Sequence, residues 1–295
     1  KAGLGHAVLG WADVSVAGDD NIRAQRINQN IETLWSAPDQ GGIMVSSALY
    51  DQKYPKVTYY DENYSIIVWE DHRNSVSGDQ SDIYYQFLDV DGNSMLIDNG
   101  SPVCIDEATQ IKPRAKASSQ GAFIVWEDYR NSNIGNDIDV YSQKVDHLGN
   151  IYWDNGGIPI VSEVGEQNNE RLTVDNTGGV YYVWMDKRNN ENTGVDIYLQ
   201  HVNSDGTISF EENGLVISNS DGTQKGPVVR LSTQGVFIIW GETCGNYTCD
   251  GLYIQHVTPE NGITLDSQGK DVFSGINGNC EFQKSIYLGN NESLI

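Results

Sequence analysis

Three copies of one polar motif could bind charged or polar groups. Each copy reads Trp-x-Asp-x-Arg-Asn and follows an apolar run. The planar Arg guanidinium pairs bidentately with carboxylates, so the motif could hold a glycan or the polar groups of a protein partner. Tyr129 adds an aromatic ring to the second copy. The polar members of the three copies are Asp71, Arg73, Asn74, Asp128, Arg130, Asn131, Asp186, Arg188 and Asn189.

The same residues also have a structural interpretation, which the repetition favours. A site tuned to one ligand is not ordinarily repeated identically, whereas a structural clasp is. The Asp can accept backbone N–H bonds where its strand ends, and the Arg can pair with it or with Asp82, Asp139 or Asp196, at the start of the next strand. The motif is therefore predicted to be a clasp, with ligand binding as the alternative.

Two further side chains recur at fixed places and are predicted to be structural. One is a Trp that packs between sheets, and the other is a Gln whose buried amide bonds neighbouring backbone. The Trp positions are Trp11, Trp69, Trp126, Trp184 and Trp240, and the Gln positions are Gln25, Gln86, Gln143, Gln200 and Gln255.

No motif specific to a reaction is present. The five histidines are scattered without metal-ligand spacing, and neither Gly-x-Ser-x-Gly nor a phosphate-binding loop occurs. Two carboxylates from different repeats could meet and cleave a glycosidic bond, but the sequence does not pair them. If function is localised, the loops that depart from the repeat are the places to expect it.

Metal and disulfide predictions rest on two short segments. Asp89–Asn93 looks like half of a calcium loop, but the distal Glu is absent and a hairpin turn is favoured. Acidic loops keep calcium open as the one cofactor to consider. Cys244 and Cys249 flank a Gly-Asn turn, and a disulfide is predicted between them in an oxidising compartment.

The elements that position these residues follow from a steady period. Successive motif tryptophans lie 58, 57, 58 and 56 residues apart. In the second repeat, strands are predicted at 56–60, 65–69 and 82–90, with 94–97 and 102–105 sharing the fourth. Four antiparallel strands per repeat predict an all-β chain, a β-propeller of four-stranded blades.

One continuous propeller domain is predicted over residues 1–295, and its two ends occupy the same strand of the period. The chain is therefore expected to be part of a ring of six to eight blades, joined to further blades or domains of the same protein. The predicted units are 1–55, 56–112, 113–169, 170–226, 227–283 and the start of another at 284–295.

Composition limits the partners. The chain carries 41 acidic and 18 basic residues, a formal net charge of −23, and a pI of about 4.3. This field repels nucleic acids and anionic membranes, so no nucleic-acid binding is expected. No apolar run approaches the roughly 18 to 20 residues that cross a bilayer, so no membrane insertion is expected either. The abundance of Gly, Asn, Asp, Ser and Tyr favours a secreted or cell-surface protein.

A longer string extends the motif: Val-Trp-Glu-Asp-x-Arg-Asn, then Asp-x-Tyr-x-Gln, then Asn-Gly-Gly-Ile-Pro-Ile, clearest over 125–160. It resembles propeller-like repeats of large secreted or surface proteins of Bacteroidota, many of which carry a type IX secretion sorting domain. The resemblance implies an exported binding or adhesion module and supplies no catalytic residues.

The interpretation that follows is a non-catalytic extracellular or cell-surface propeller that binds protein or glycan through one face. It leans against an enzyme. One alternative is a carbohydrate-active propeller enzyme, a glycoside hydrolase or lyase with carboxylates at the central channel. The other is a structural subunit of a larger surface or secretion assembly.

Overall fold

The computed structural model describes residues 5–14, 18–36, 41–75, 78–132, 137–243, 251–274, 286–289 and 292–294. Within these residues the chain forms β-strands, turns and bends, and no helix. No helix long and apolar enough to cross a membrane occurs in this part of the chain. The predicted all-β class is confirmed.

The described residues form twenty-two strands in succession. They are β1 (His6–Val14), β2 (Asp20–Asn28), β3 (Ile43–Ser46), β4 (Gln52–Tyr59), β5 (Tyr64–Asp71), β6 (Asp82–Asp89), β7 (Ser101–Cys104), β8 (Gln110–Ser118), β9 (Gly121–Asp128), β10 (Asp139–Val145), β11 (Ile158–Val161), β12 (Gln167–Val174), β13 (Val180–Asp186), β14 (Gly194–Val202), β15 (Leu215–Ser218), β16 (Gly222–Leu231), β17 (Val236–Thr243), β18 (Gly251–Thr258), β19 (Gly262–Ile263), β20 (Lys270–Ser274), β21 (Ile286–Gly289) and β22 (Glu292–Leu294).

The strands of each repeat form one antiparallel sheet in chain order. The complete sheets are β4-β5-β6-β7, β8-β9-β10-β11, β12-β13-β14-β15 and β16-β17-β18-β20, while β1-β2-β3 has three strands. A short parallel bridge between β14 and β16 joins two of the sheets. Four-stranded antiparallel sheets, one per repeat, were predicted and are confirmed.

The first strand of each complete sheet is longer than predicted, because a bulge lets it continue. Tyr54, Lys112, Asn169 and Gly226 have φ of +54°, +55°, +55° and +61°, and the pairing register shifts at each of them. An extra residue with positive φ makes room for the residue that follows, which is proline in three of these strands. In the second repeat the fourth strand is Ser101–Cys104 alone, since Ser94 makes only an isolated bridge with Leu88.

Consecutive apolar residues in the second strands are buried on both faces, as expected where sheets pack face to face. Ile66, Ile67, Val68 and Trp69 are all fully buried. Ile67 and Trp69 pack with Ile22 of β2 in one cluster, while Ile66 and Val68 belong to a second cluster that contains residues of β8 and β9. The tryptophans at 69, 126, 184 and 240 have no exposed surface.

A glycine beside each tryptophan is the part of the repeat that the motif analysis overlooked. At Gly157, where φ is +84°, an added Cβ would lie 2.4 Å from Cη2 of Trp126 and 2.8 Å from the carbonyl oxygen of Ser142. The equivalent positions are Gly42, Gly100, Gly214 and Gly269, each with positive φ and a Cβ position within 2.7 Å of its tryptophan ring. Only glycine fits between backbone and indole here.

Gly157→Ala is therefore expected to lower the free energy of unfolding by about 2–4 kcal/mol, the sum of overpacking and left-handed strain. Urea denaturation measures this. Gly78→Ala is the matched control: its φ is +81°, but no atom lies within 4 Å of the added Cβ. Equal destabilisation by both variants would show that strain alone matters and that the indole contact does not.

By the contacts between its residues, the chain divides into two compact units. The first comprises Lys1–Arg130 and Tyr141–Ile158, and the second comprises Asn131–Val140 and Pro159–Ile295. Glu70, Lys112 and Glu127 all belong to the first unit.

Candidate functional site

The Asp and Arg of the repeated motif bind each other and the tryptophan. In the second repeat, Trp69 Nε1 donates to Asp71 Oδ2 at 2.8 Å, and Arg73 donates from Nε to Oδ1 at 2.8 Å and from Nη2 to Oδ2 at 2.5 Å. Arg73 Nη2 also donates to the carbonyl of Asn99 at 2.7 Å, and its guanidinium lies 3.9 Å above the ring of Tyr84. The Asp71 carboxylate is fully buried.

The same arrangement recurs in the next two repeats. Trp126, Asp128 and Arg130 are linked at 2.6–2.9 Å, as are Trp184, Asp186 and Arg188. The Asp carboxylates are thus occupied from within the motif. Tyr129 N donates to the carbonyl of Thr109 at 3.0 Å. Ligand binding by these residues stays a prediction.

The asparagines of the motif contact the Asp that begins the third strand. Asn74 Nδ2 donates to Asp82 Oδ2 and Asn131 Nδ2 to Asp139 Oδ2, both at 2.7 Å, while the equivalent distance from Asn189 to Asp196 is 3.5 Å. Of the two partners predicted for the Arg, it therefore pairs with the Asp of its own motif, and the Asn donates a hydrogen bond to the Asp of the third strand.

The repeated Gln bonds three backbone groups. Gln86 is fully buried; its Oε1 accepts from Phe87 N at 3.0 Å and Leu96 N at 2.9 Å, and its Nε2 donates to the carbonyl of Ile97 at 3.0 Å. Gln25, Gln143, Gln200 and Gln255 make equivalent contacts. Each Gln ties the third strand to the chain that leads to the fourth.

The first and fifth repeats depart from the motif. In the first, Asp13 pairs at 2.7 Å with Arg23 of β2, so the cation comes from a different strand. In the fifth, Glu242 stands where the Asp would be, and Trp240 Nε1 has no hydrogen-bond partner among the described residues. The predicted Cys244–Cys249 disulfide lies outside the described residues.

The half calcium loop is a closed turn. Asp89 Oδ1 accepts from the backbone N–H groups of Asp91 and Asn93, at 2.9 and 2.8 Å, and Oδ2 accepts from Asn93 Nδ2 at 2.9 Å. Both carboxylate oxygens are therefore used within the turn. In the part of the chain that the structure describes, no three His, Cys, Asp or Glu side chains are grouped as metal ligands would be.

A pair of glutamates converges on one lysine at the edge of the first unit, and this cluster is the candidate active site. Glu70 and Glu127 follow the tryptophans of β5 and β9. The bulge at Lys112 in β8 joins them: its backbone N–H donates to Glu70 Oε1, and its Nζ donates to Glu127 Oε2, each at 2.8 Å. The side chain of Glu127 is 1% exposed, whereas that of Lys112 is 55% exposed.

The environments of the two glutamates differ. Burial raises the pKa of Glu70, and the negative charge of Glu127 raises it further, while the N–H bond and the charge of Lys112 oppose these effects. The ammonium of Lys112 lies 2.8 Å from the carboxylate of Glu127. Two neighbouring carboxyl groups, one with a pKa raised by burial and one paired with a cation, are the pattern that acid–base catalysis uses.

An exposed aromatic side chain stands at the same bulge one sheet earlier. Tyr54 occupies in β4 the position of Lys112 in β8 and is 61% exposed; the residue before it, Lys53, pairs across the sheet with Glu70. Sugar rings present C–H faces that stack on such rings, and Tyr54 offers one next to the strand partner of Glu70.

Sequence reasoning missed this site because each glutamate looks like an ordinary member of Val-Trp-Glu-Asp. The signal was variation within the repeat. The residue after the tryptophan is Ala12, Glu70, Glu127, Met185 and Gly241 in successive repeats, so a carboxylate occurs at two of five equivalent positions. Met185 in fact accepts a contact from Asn169 Nδ2 at 3.1 Å, in the place of the lysine–glutamate pair.

No protein-family model matches the chain, and no curated protein matches it. Solved structures do. An endo-arabinase from Bacteroides thetaiotaomicron is 11% identical with a TM-score of 0.43, over 88% of this chain and 97% of that one. An α-L-arabinanase from Penicillium chrysogenum is 14% identical with a TM-score of 0.43, over 87% and 79%. The polysaccharide lyase Uly1 is 10% identical with a TM-score of 0.47, over 90% and 63%.

These findings correct the interpretation drawn from the sequence. The structures found are enzymes that act on carbohydrates, so the non-catalytic binding or scaffold domain, and the leaning against an enzyme, are not retained. The motif search had looked for a local signature, and carboxylates delivered from different sheets leave none. With identities of 10–14%, what the chain itself does has to be argued from its own residues.

Proposed function

We propose that this chain is a carbohydrate-active β-propeller enzyme, a glycoside hydrolase in which Glu70 is the general acid and Glu127 is the general base. One observation carries the proposal: two buried glutamates from adjoining sheets meet at Lys112, at a repeat position that holds no carboxylate elsewhere. Residues that only repeat the clasp would be the same in every sheet.

Hydrolysis by this pair needs one proton donor and one proton acceptor. Protonated Glu70 gives its proton to the glycosidic oxygen as the bond from that oxygen to the anomeric carbon breaks. Glu127 takes a proton from the water that attacks the anomeric carbon. Glu70 then holds the charge and Glu127 the proton, and exchange with solvent restores both. Before a substrate binds, the ammonium of Lys112 lies against the Glu127 carboxylate.

The access route and the charge indicate the kind of substrate. Lys112 and Tyr54 are the exposed residues of the site, so a sugar would stack on Tyr54 and displace the lysine side chain to reach the glutamates. A formal charge of −23 repels polyanions. The proposed substrate is therefore a neutral polysaccharide.

The sheets are proposed to be propeller blades. The steady period and the four-stranded antiparallel unit support this architecture. The ring of six to eight blades and the extracellular location stay predictions, and a secreted enzyme acting on polysaccharide is consistent with both.

The proposed function is tested by incubating the protein with neutral polysaccharides (arabinan, xylan, mannan and mixed-linkage β-glucan) and measuring new reducing ends. Release from at least one polymer is expected from the wild type, with none above background from the double variant Glu70→Gln/Glu127→Gln. Equal release by the double variant, or release from no polymer, would contradict the proposal.

A stability measurement follows from the raised pKa of Glu70. The folded state binds this proton more tightly than the unfolded chain, whose Glu pKa is about 4.3. The folded protein therefore loses stability as pH rises from the unfolded pKa through the folded one. Glu70→Gln keeps an acceptor for Lys112 N and removes the buried charge. The variant is expected to be more stable than wild type at about pH 7.5, with the difference vanishing near pH 4.

Urea denaturation at the two pH values checks this. A variant that is less stable than the wild type at neutral pH would mean that the Glu70 carboxylate stabilises the folded state, which would contradict this prediction.

A further inference from the structure

A cavity in the first unit, separate from the carboxyl pair, has the features of a sugar-binding site. It encloses about 410 Å³ and lies between the start of β1, the end of β2, the turn from β4 into β5 and the end of β6. Ligand-binding cavities usually span roughly 300–1,000 Å³. None of its lining residues belongs to the carboxyl pair. The lining residues include Arg26, Trp35, Tyr59, Asp61, Glu62, Asp89 and Val90.

One wall is rigid and carries free donors. The carbonyl of Val90 accepts from Arg26 Nη1 at 2.7 Å and from Trp35 Nε1 at 3.0 Å, so one backbone group fixes both side chains. The other guanidinium nitrogens of Arg26 have no hydrogen-bond or ion-pair partner among the described residues, although Asp89 also lines the cavity.

Two other lining residues supply an aromatic face and an acceptor. Tyr59 lines the cavity and is 43% exposed, so its ring is available for stacking. Glu62 is exposed, and its carboxylate has no hydrogen-bond partner in the described part of the chain. The cavity thus offers an aromatic surface, a donor and an acceptor, which matches a sugar ring with an apolar face and hydroxyls that both donate and accept.

The charge of the cavity selects among sugars. Asp61, Glu62 and Asp89 outnumber Arg26 among the lining residues, so an anionic sugar is disfavoured. We infer that this cavity binds a neutral sugar residue of a polysaccharide and anchors the polymer away from the carboxyl pair. The inference rests on the proposed glycan specificity and is independent of the catalytic roles of Glu70 and Glu127.

A cavity in the second unit lacks an exposed aromatic side chain. This cavity, of about 610 Å³, is lined by equivalent turns of later repeats. Its lining tyrosine, Tyr181, is 1% exposed, and there His201 is bonded at 2.7 Å to both Asp175 and Ser209. That cavity offers no stacking face, and its histidine is already satisfied.

Affinity electrophoresis in gels containing arabinan, xylan, mannan or mixed-linkage β-glucan, with polygalacturonate as the acidic counterpart, tests the inference. The wild type is expected to be retarded by at least one neutral polymer. Tyr59→Ala should weaken the apparent affinity at least roughly tenfold. Tyr152→Ala is the matched control, because Tyr152 is 51% exposed and does not line the cavity.

Retardation of wild type only by polygalacturonate, retardation by no polymer, or equal retardation of wild type and Tyr59→Ala would overturn the inference. Hydrolysis of a trisaccharide should be unchanged in Tyr59→Ala, since Tyr59 lies six residues, about 20 Å, along β4 from Lys53, the strand partner of Glu70. The two proposals fail separately: loss of polymer binding in Tyr59→Ala with no hydrolysis by the wild type would support the cavity and reject the catalytic pair.

Discussion

Glu127→Gln is expected to lower kcat on the neutral polysaccharide that the wild type cleaves by about 10²- to 10⁴-fold, the usual contribution of one acid–base group. Gln has the shape of Glu but takes no proton from water and carries no charge. It also removes the carboxylate that now lies 2.8 Å from the ammonium of Lys112. Reducing-end release under saturating polymer measures the effect.

Two comparisons make this result specific. Glu166→Gln breaks another Glu–Lys pair, with Lys187, outside the site, and should leave kcat unchanged. Glu70→Gln should lose activity on polysaccharide but far less on an aryl glycoside, whose leaving group needs no proton, whereas Glu127→Gln should lose activity on both. A loss below threefold in Glu127→Gln, or an equal loss in Glu166→Gln, would reject the assigned roles.

Asp128→Ala is expected to lower the free energy of unfolding by about 3–5 kcal/mol, because it removes one partner of a largely buried ion pair. The Asp128 side chain is fully buried, and that of Arg130 is 20% exposed, which favours the lower end of the range. Trp126 Nε1 would also lose its 2.7 Å acceptor. Chemical denaturation provides the value.

Asp128→Asn separates charge from hydrogen bonding, since the amide oxygen can still accept from Trp126 or Arg130. It should cost less than the Ala variant. The fifth repeat shows that the indole alone can go without an acceptor, since Trp240 Nε1 has none among the described residues. If Asp128→Ala cost under about 1 kcal/mol, the ion pair would belong with the surface pairs that contribute little.

The repeat was legible in the sequence because the same physical constraint acts in every copy. A buried indole at a period near 57 residues predicts sheets of one kind, and Trp69, Trp126, Trp184 and Trp240 are all buried as that prediction requires. The bulges could not be predicted from the sequence. Tyr54, Lys112 and Asn169 have positive φ without being glycine, and only the pairing register of the folded sheets shows why.

The candidate site could not be predicted for the same reason. Glu70 and Glu127 are 57 residues apart and belong to different sheets. Their meeting depends on the bulge that turns the N–H of Lys112 toward one and its Nζ toward the other. The sequence shows which residue types are present, but only the packing of the two sheets shows that these side chains meet at Lys112. The sequence analysis also emphasised the residues that recur in each repeat, whereas Glu70 and Glu127 stand at a position that varies.

The most direct test of the account is the crystal structure of the Glu70→Gln variant with an oligosaccharide of the polymer that the wild type cleaves. The predicted result is a sugar stacked on Tyr54, with its glycosidic oxygen within hydrogen-bond distance of the side chain at position 70. Glu127 should lie on the other side of the anomeric carbon. An oligosaccharide bound elsewhere, with Lys112 still closed over Glu127, would contradict the central claim.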